Sequence, residues 1–172
     1  DQYNQTRLLM GLNDELFSYP LAAGDTFTVP EVILSYSQNG LSALSQQYHN
    51  CIRNHVCRSK YVHMSRPVLI NSWEAAYFDF TGETIVNLAK EAASLGIDMV
   101  VMDDGWFGKR DDDNSSLGDW YVNEKKLGGS LSELIRRVHE QGVKFGIWIE
   151  PEMVNEDSDL YRAHPDWAIQ IP

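Results

Sequence analysis

The sequence predicts an α/β fold, a parallel sheet of about three βα units preceded by a short β-rich segment and a linker helix. Three observations point there. From Pro67 onward, short apolar strands alternate with amphipathic helices, which is the pattern of a parallel sheet. Helices pass into strands through one glycine, whereas the strand ending at Met102 is followed by about 27 residues before the next helix. Ahead of Pro67 the chain is β-branched and aromatic, with a proline inside the run.

Residues 1–37 are read as the end of a β domain. Thr26-Phe27-Thr28-Val29-Pro30-Glu31-Val32-Ile33-Leu34-Ser35-Tyr36 suits short edge strands interrupted at Pro30. Residues 38–66 form a linker, in which Leu41, Leu44, Tyr48, Ile52 and Val56 recur at steps of three and four and predict an amphipathic helix. Arg58, Lys60 and Arg66 mark a polar connector. Residues 67–172 then hold the βα units. Val68-Leu69-Ile70 is the first strand; the following helix has Thr81 as N-cap, a stripe through Ile85, Leu88, Ala89 and Ala92, and Gly96 past its end. Ile97 to Met102 is the second strand. Ser130-Leu131-Ser132-Glu133 has the form of a capping box, the helix carries Leu134, Ile135 and Val138, and Gly142 precedes the strand Val143 to Ile149.

Composition narrows the function. The chain has 25 acidic and 14 basic residues and a formal charge of -11, which argues against nucleic acid, since phosphate binding needs clustered Lys and Arg. No apolar run approaches the ~20 residues that cross a bilayer, so no membrane partner is expected, and Asp1-Gln2-Tyr3-Asn4 lacks signal-peptide regions. Cys51 and Cys57 stand six apart in a helical pattern and do not share a face, so free thiols and a reducing, cytoplasmic compartment are expected. Asn4-Gln5-Thr6 and Asn114-Ser115-Ser116 fit the N-glycosylation pattern, a short motif that recurs by chance.

Long loops at the carboxyl ends of parallel strands are where ligands bind. Asp103-Asp104-Gly105-Trp106 occupies that position after the second strand. Two adjacent carboxylates there need donors, and sugar hydroxyls are suitable ones. Neighbouring strand residues point to opposite faces, so the pair reads as two grips rather than the acid and nucleophile about 5 to 5.5 Å apart of a retaining glycosidase. Asp104-Gly105 is also a turn signal that Asp103 could cap. Trp73, Trp106 and Trp148 fall at or just past strand ends, with Phe78 and Phe107. Indole faces pack on the C–H face of a pyranose, and Trp73 and Trp148 together read as site walls, Trp106 more as packing. Glu150, in Glu150-Pro151-Glu152-Met153 after the third strand, is either a candidate general acid, base or nucleophile or an organiser of the rim. Asp111-Asp112-Asp113-Asn114 matches a calcium loop poorly, with Leu117 at a ligand position, and reads as a solvated acidic loop offset by Lys109 and Arg110. The scattered histidines have no metal-ligand spacing, and no metal or cofactor is expected.

Pro67-Val68-Leu69-Ile70-Asn71-Ser72-Trp73-Glu74-Ala75, Asp103-Asp104-Gly105-Trp106-Phe107-Gly108-Lys109-Arg110, Trp148-Ile149-Glu150-Pro151-Glu152-Met153 and Leu160-Tyr161-Arg162-Ala163-His164-Pro165-Asp166-Trp167 together resemble α-galactosidases of glycoside hydrolase family 36, the bacterial type in particular. The resemblance implies that residues 1–37 end an N-terminal β-sandwich and that 67–172 begin a (β/α)8 TIM barrel. Residues 68 to 172 are fewer than half of the roughly 250 that a closed barrel takes, so the chain is either a small open sheet or a fragment, and the abrupt β start and the ending at Ile171-Pro172 favour a fragment. It further implies retaining hydrolysis of terminal α-galactosyl residues of melibiose- and raffinose-type oligosaccharides, with Asp103 and Asp104 on the galactose 4- and 6-hydroxyls and Trp73 and Trp148 walling the subsite. The family's nucleophile is an aspartate in a Lys-Trp-Asp segment, which is absent here; nucleophile and acid/base are expected beyond Pro172, and the isolated chain is expected to be inactive. A homo-oligomeric, tetrameric parent is also implied. The rival readings are a galactosyltransferase of the raffinose-synthase kind and a non-catalytic carbohydrate-binding protein.

Overall fold

A computed structural model describes residues 2–169, so the ending at Ile171-Pro172 lies outside the described residues. The chain divides into two compact units, one ending at Met64 and the other beginning at Ser65.

In the first unit the stripe of the linker forms a helix, α1 (Gly40–Cys51), which continues as a π-helical turn over Ile52–Val56. None of the described residues of this unit is buried, and Leu41, Ile52 and Val56 stand exposed along the apolar stripe. The strands expected within 26–36 do not form. Their backbone groups find no ladder partner, and a strand gains its hydrogen bonds only from a neighbour. Small aromatic contacts remain: the Phe27 ring lies 4.3 Å from that of Tyr19 and 6.1 Å from that of Phe17. Cys51 and Cys57 are free thiols.

The second unit is built on a three-stranded parallel sheet in the order β1 (Leu69–Asn71), β2 (Met99–Met102), β3 (Lys144–Ile147). Helix α2 (Trp73–Ala76) is a single turn after β1; α3 (Gly82–Ser94) and α5 (Leu131–Glu140) are the crossover helices; α4 (Glu124–Leu127) and α6 (Asp159–Ala163) are short turns in the loops after β2 and β3. β2 and β3 are shorter than their apolar runs, and β1 is shifted one residue along its own. Ile97 is still held by the helix before it, its N–H bonding Ala92 O, so β2 starts two residues later.

In register, Ile70, Val100 and Phe145 form one row and Leu69, Met99 and Lys144 the row on the opposite face. Helices α3 and α5 pack on each other and on the first face, where Ile85, Ala89, Val100, Met102, Leu134 and Val138 are buried. Each fully buried large side chain contributes roughly 1.5–3 kcal/mol. On the other face Leu69 is exposed and Met99 and Val101 only half-buried.

Local signals placed the helices. Thr81 caps α3 in a reciprocal box with Thr84, and Ser130 accepts from Glu133 N at the start of α5. The second box closes on one side only, because the Glu133 carboxylate turns to Arg136. Gly96 and Gly142 sit at φ 75° and 85°, the left-handed conformation that ends a helix most easily at glycine.

Candidate functional site

Each strand delivers its candidate residues at its carboxyl end. Past β1, the buried Ser72 continues the ladder by bonding Val101 O, and Trp73 follows at the start of α2. Past β2 come Asp103 and Asp104, both buried. Past β3, Trp148 N bonds Met102 O, which keeps Trp148 beside the acids. An open cleft of about 440 Å³ is lined by Trp73, Asp103, Asp104, Arg110, Trp148 and Glu150 among others, so all four residues singled out from the sequence meet in one place. The volume falls within the range of small-molecule sites, roughly 300–1,000 Å³.

The two carboxylates find their donors inside the protein, by different means. Asp103 receives Asn71 Nδ2 at 2.5 Å on Oδ2 and the backbone N–H of Asp104 at 2.8 Å on Oδ1, while its own N–H donates to Ser72 Oγ at 3.0 Å. Asp104 is gripped by Arg110. Nε lies 3.0 and 3.1 Å from its two oxygens and Nη2 lies 2.8 Å from Oδ2, a charge-assisted fork. Arg110 is 4% exposed, and its Nη1 donates to Ser115 O at 3.1 Å and Asn155 Oδ1 at 3.0 Å.

Asp111-Asp112-Asp113-Asn114 is exposed, as read from the sequence, but Arg110, expected to offset its charge from the surface, is turned inward. Around it, Asp111 pairs with Lys126 at 2.9 Å, and Asp113 lies 3.5 Å from Arg110 Nη2. The guanidinium turned inward because a buried carboxylate without a counter-charge is costly. The loop itself is pinned at both ends, by a bridge from Phe107 to Val122 and another from Ser115 to Asp157. Its length also shrinks against expectation, since α4 interrupts the stretch expected to be helix-free.

The walls are held by aromatic neighbours. Trp73 makes edge contacts with Tyr77 and Phe78, both with ring centroids 5.1 Å away, and Trp148 packs on Phe107 at 6.5 Å and Trp120 at 6.3 Å. Trp106 belongs to the core: it is 5% exposed and its indole N–H donates to Trp148 O at 2.9 Å, so it supports a wall without forming one. The structure also separates Glu150, half-buried in the cleft, from Glu152, which is exposed outside it.

Sequence reasoning missed Asn71, Ser72, Arg110 and Asn155. Arg110 had a signal, a lone arginine a few residues after two acids in a long loop. Asn155 had none, because it bonds Arg110 and the N–H of Leu117 from another loop. Farther out, Asp159 accepts the Tyr121 hydroxyl at 2.9 Å and ties the same two loops together. Arg162, and then Tyr121, hold the Asp159 carboxyl below the usual range, and the Asp159 bond in turn raises the Tyr121 hydroxyl above its own.

Strands that add in chain order, helices on one face, and paired acids between two indoles at the strands' carboxyl ends define a β/α protein with its cleft where barrel enzymes hold their ligands. The family model described as Melibiase matches residues 26–172, and the chain belongs to that family, glycoside hydrolase family 36. It is 90% identical over 171 residues to the bifunctional alpha-galactosidase/sucrose kinase AgaSK of Mediterraneibacter gnavus, covering 99% of this chain and 18% of that protein. The solved galactosidase domain of AgaSK superposes with a TM-score of 0.90 at 89% identity, over 99% of this chain and 24% of that one. Alpha-galactosidase AgaA of Geobacillus stearothermophilus is 51% identical over 172 residues, covering 100% of this chain and 24% of that protein. A variant of AgaA solved in complex with stachyose has a TM-score of 0.81 at 53% identity, over 88% of this chain and 21% of that one. The chain therefore spans about a fifth of the length of the curated relatives it matches. Among the described residues, no helix is long and apolar enough to cross a membrane.

Proposed function

We propose that the longer protein carrying this chain is a retaining α-galactosidase that hydrolyses terminal α-D-galactosyl residues of melibiose- and raffinose-type oligosaccharides, and that this chain supplies its galactose-binding wall. The observation that carries the reading is the convergence of Asp103, Asp104, Trp73 and Trp148 on one cleft. The α-galactosidase names of AgaSK and AgaA, and the stachyose bound by the AgaA variant, support the substrate class. Chemistry supports it as well. An axial 4-hydroxyl donating to a fixed carboxylate is lost in the glucose epimer, and with it a hydrogen bond to a charged group worth about 1.5–3 kcal/mol.

Asp103 and Asp104 bind and do not react in this reading. Retaining hydrolysis needs one carboxylate on the anomeric carbon and another on the leaving oxygen. In this reading neither belongs to this chain, and both are supplied by the rest of the longer protein. In this reading residues 67–172 are the first units of a barrel, which a parallel sheet with strands in chain order supports, 38–66 are the linker and 1–37 the end of a β-sandwich.

The full-length protein should release the aryl alcohol from an aryl α-galactoside, and NMR should find α-galactose as the first-formed anomer. No turnover, or a β-anomer, would overturn the reading. Turnover by residues 1–172 alone would overturn the placement of the reacting groups.

A further inference from the structure

Arg110 does more than neutralise a buried acid. We propose that it is the positioning residue of the cleft: it fixes the Asp104 carboxylate in one orientation, so that the acceptor sites left over are presented to a single sugar hydroxyl. This rests on the galactoside reading above.

Four observations carry it. The contact is a fork, with Nε and Nη2 both on the carboxylate at 2.8 to 3.1 Å, and a fork fixes the plane of the acid where one bond would let it rotate. The fork itself cannot turn, because Nη1 is tied to Ser115 O and Asn155 Oδ1 and the guanidinium carbon lies 5.6 Å from the Phe78 ring centroid. Both partners line the cleft, so the pair is not a distant staple of the loop. Finally, a carboxylate has about four acceptor sites, and Arg110 occupies only one edge of Asp104. Asp103 is oriented separately by Asn71 and the backbone, so its geometry does not depend on Arg110. Lysine keeps the charge but not the fork, being a point donor on a flexible stem.

Charge and orientation can therefore be separated by experiment. In the full-length protein, wild type, Arg110→Lys and Asn155→Ala are assayed with an aryl α-galactoside, using galactose, 4-deoxygalactose and 6-deoxygalactose as competitive inhibitors. Arg110→Lys should raise the inhibition constant of galactose about 100-fold, while one deoxy sugar, the one lacking the hydroxyl that Asp104 holds, weakens less than about 3-fold. Asn155→Ala should give a smaller loss with the same ligand pattern. Equal weakening of all three sugars, or no change for galactose, would show a structural ion pair and overturn the proposal. If Arg110→Lys does not fold, the ligand pattern of Asn155→Ala decides by the same criterion. A wild-type protein that binds no galactose overturns the galactoside reading, and this inference with it.

Discussion

Removing both members of the Asp104–Arg110 pair should cost less than the sum of removing each alone. Asp104→Ala strands a guanidinium whose side chain is 5% exposed, leaving it only the two Nη1 bonds. Breaking a buried pair from one side costs about 3–5 kcal/mol. Asp113 lies 3.5 Å from Nη2 on an exposed side chain and can swing closer, so the lower end, about 3 kcal/mol, is expected. The double variant Asp104→Ala/Arg110→Ala leaves no unpaired charge and should fall well short of the sum of the singles. Hydrogen exchange read by mass spectrometry on peptides spanning 103–117 of the full-length protein measures this directly. Ser116 N and Leu117 N, which bond Asp157 O and Asn155 Oδ1, report opening of the loop. Their protection should drop about 100-fold in Asp104→Ala, at roughly 1.4 kcal/mol per factor of ten. Additive losses in the double variant, or unchanged protection in Asp104→Ala, would refute the assignment of the pair as the loop's internal anchor.

Gly82→Ala gains helix propensity but places a Cβ 2.1 Å from the Leu127 carbonyl oxygen, a backbone atom that cannot swing aside; the net effect should be a loss of about 1–3 kcal/mol, and an unchanged or higher Tm would contradict the close packing of α3 on α4. Asp159, whose carboxyl is held low chiefly by Arg162, contributes stability that is present above the unfolded value of about 3.9 and lost as pH falls through the lower folded value. Exchange protection at the start of α6 should therefore decline as pH falls below about 4, by a larger amount in the wild type than in Asp159→Asn, and superimposable profiles would exclude the linkage.

The helices of the second unit were legible because their signals are local. Thr81 and Ser130 cap through neighbours three residues away, and Gly96 and Gly142 end helices by their own backbone conformation. The strands were legible as apolar runs but not in length, since a strand's end is set by the partner it bonds. The β-rich run at 26–36 shows the same limit from the other side: propensity without a partner forms no ladder.

By itself the sequence determined the alternation of strand and helix, the long loops at the strands' carboxyl ends, and the four residues Trp73, Asp103, Asp104 and Trp148 that line the cleft there. Those follow from periodicity, loop length and residue chemistry, which are read along the chain. Only the tertiary structure decided what holds the acids. Asn71 reaches Asp103 across two strands, Arg110 folds inward from a loop that reads as solvated, and Asn155 closes the guanidinium from the loop after β3. Such partners are chosen by proximity in space and by the cost of leaving a charge unpaired in the interior, and neither is written in the spacing of residues along the chain.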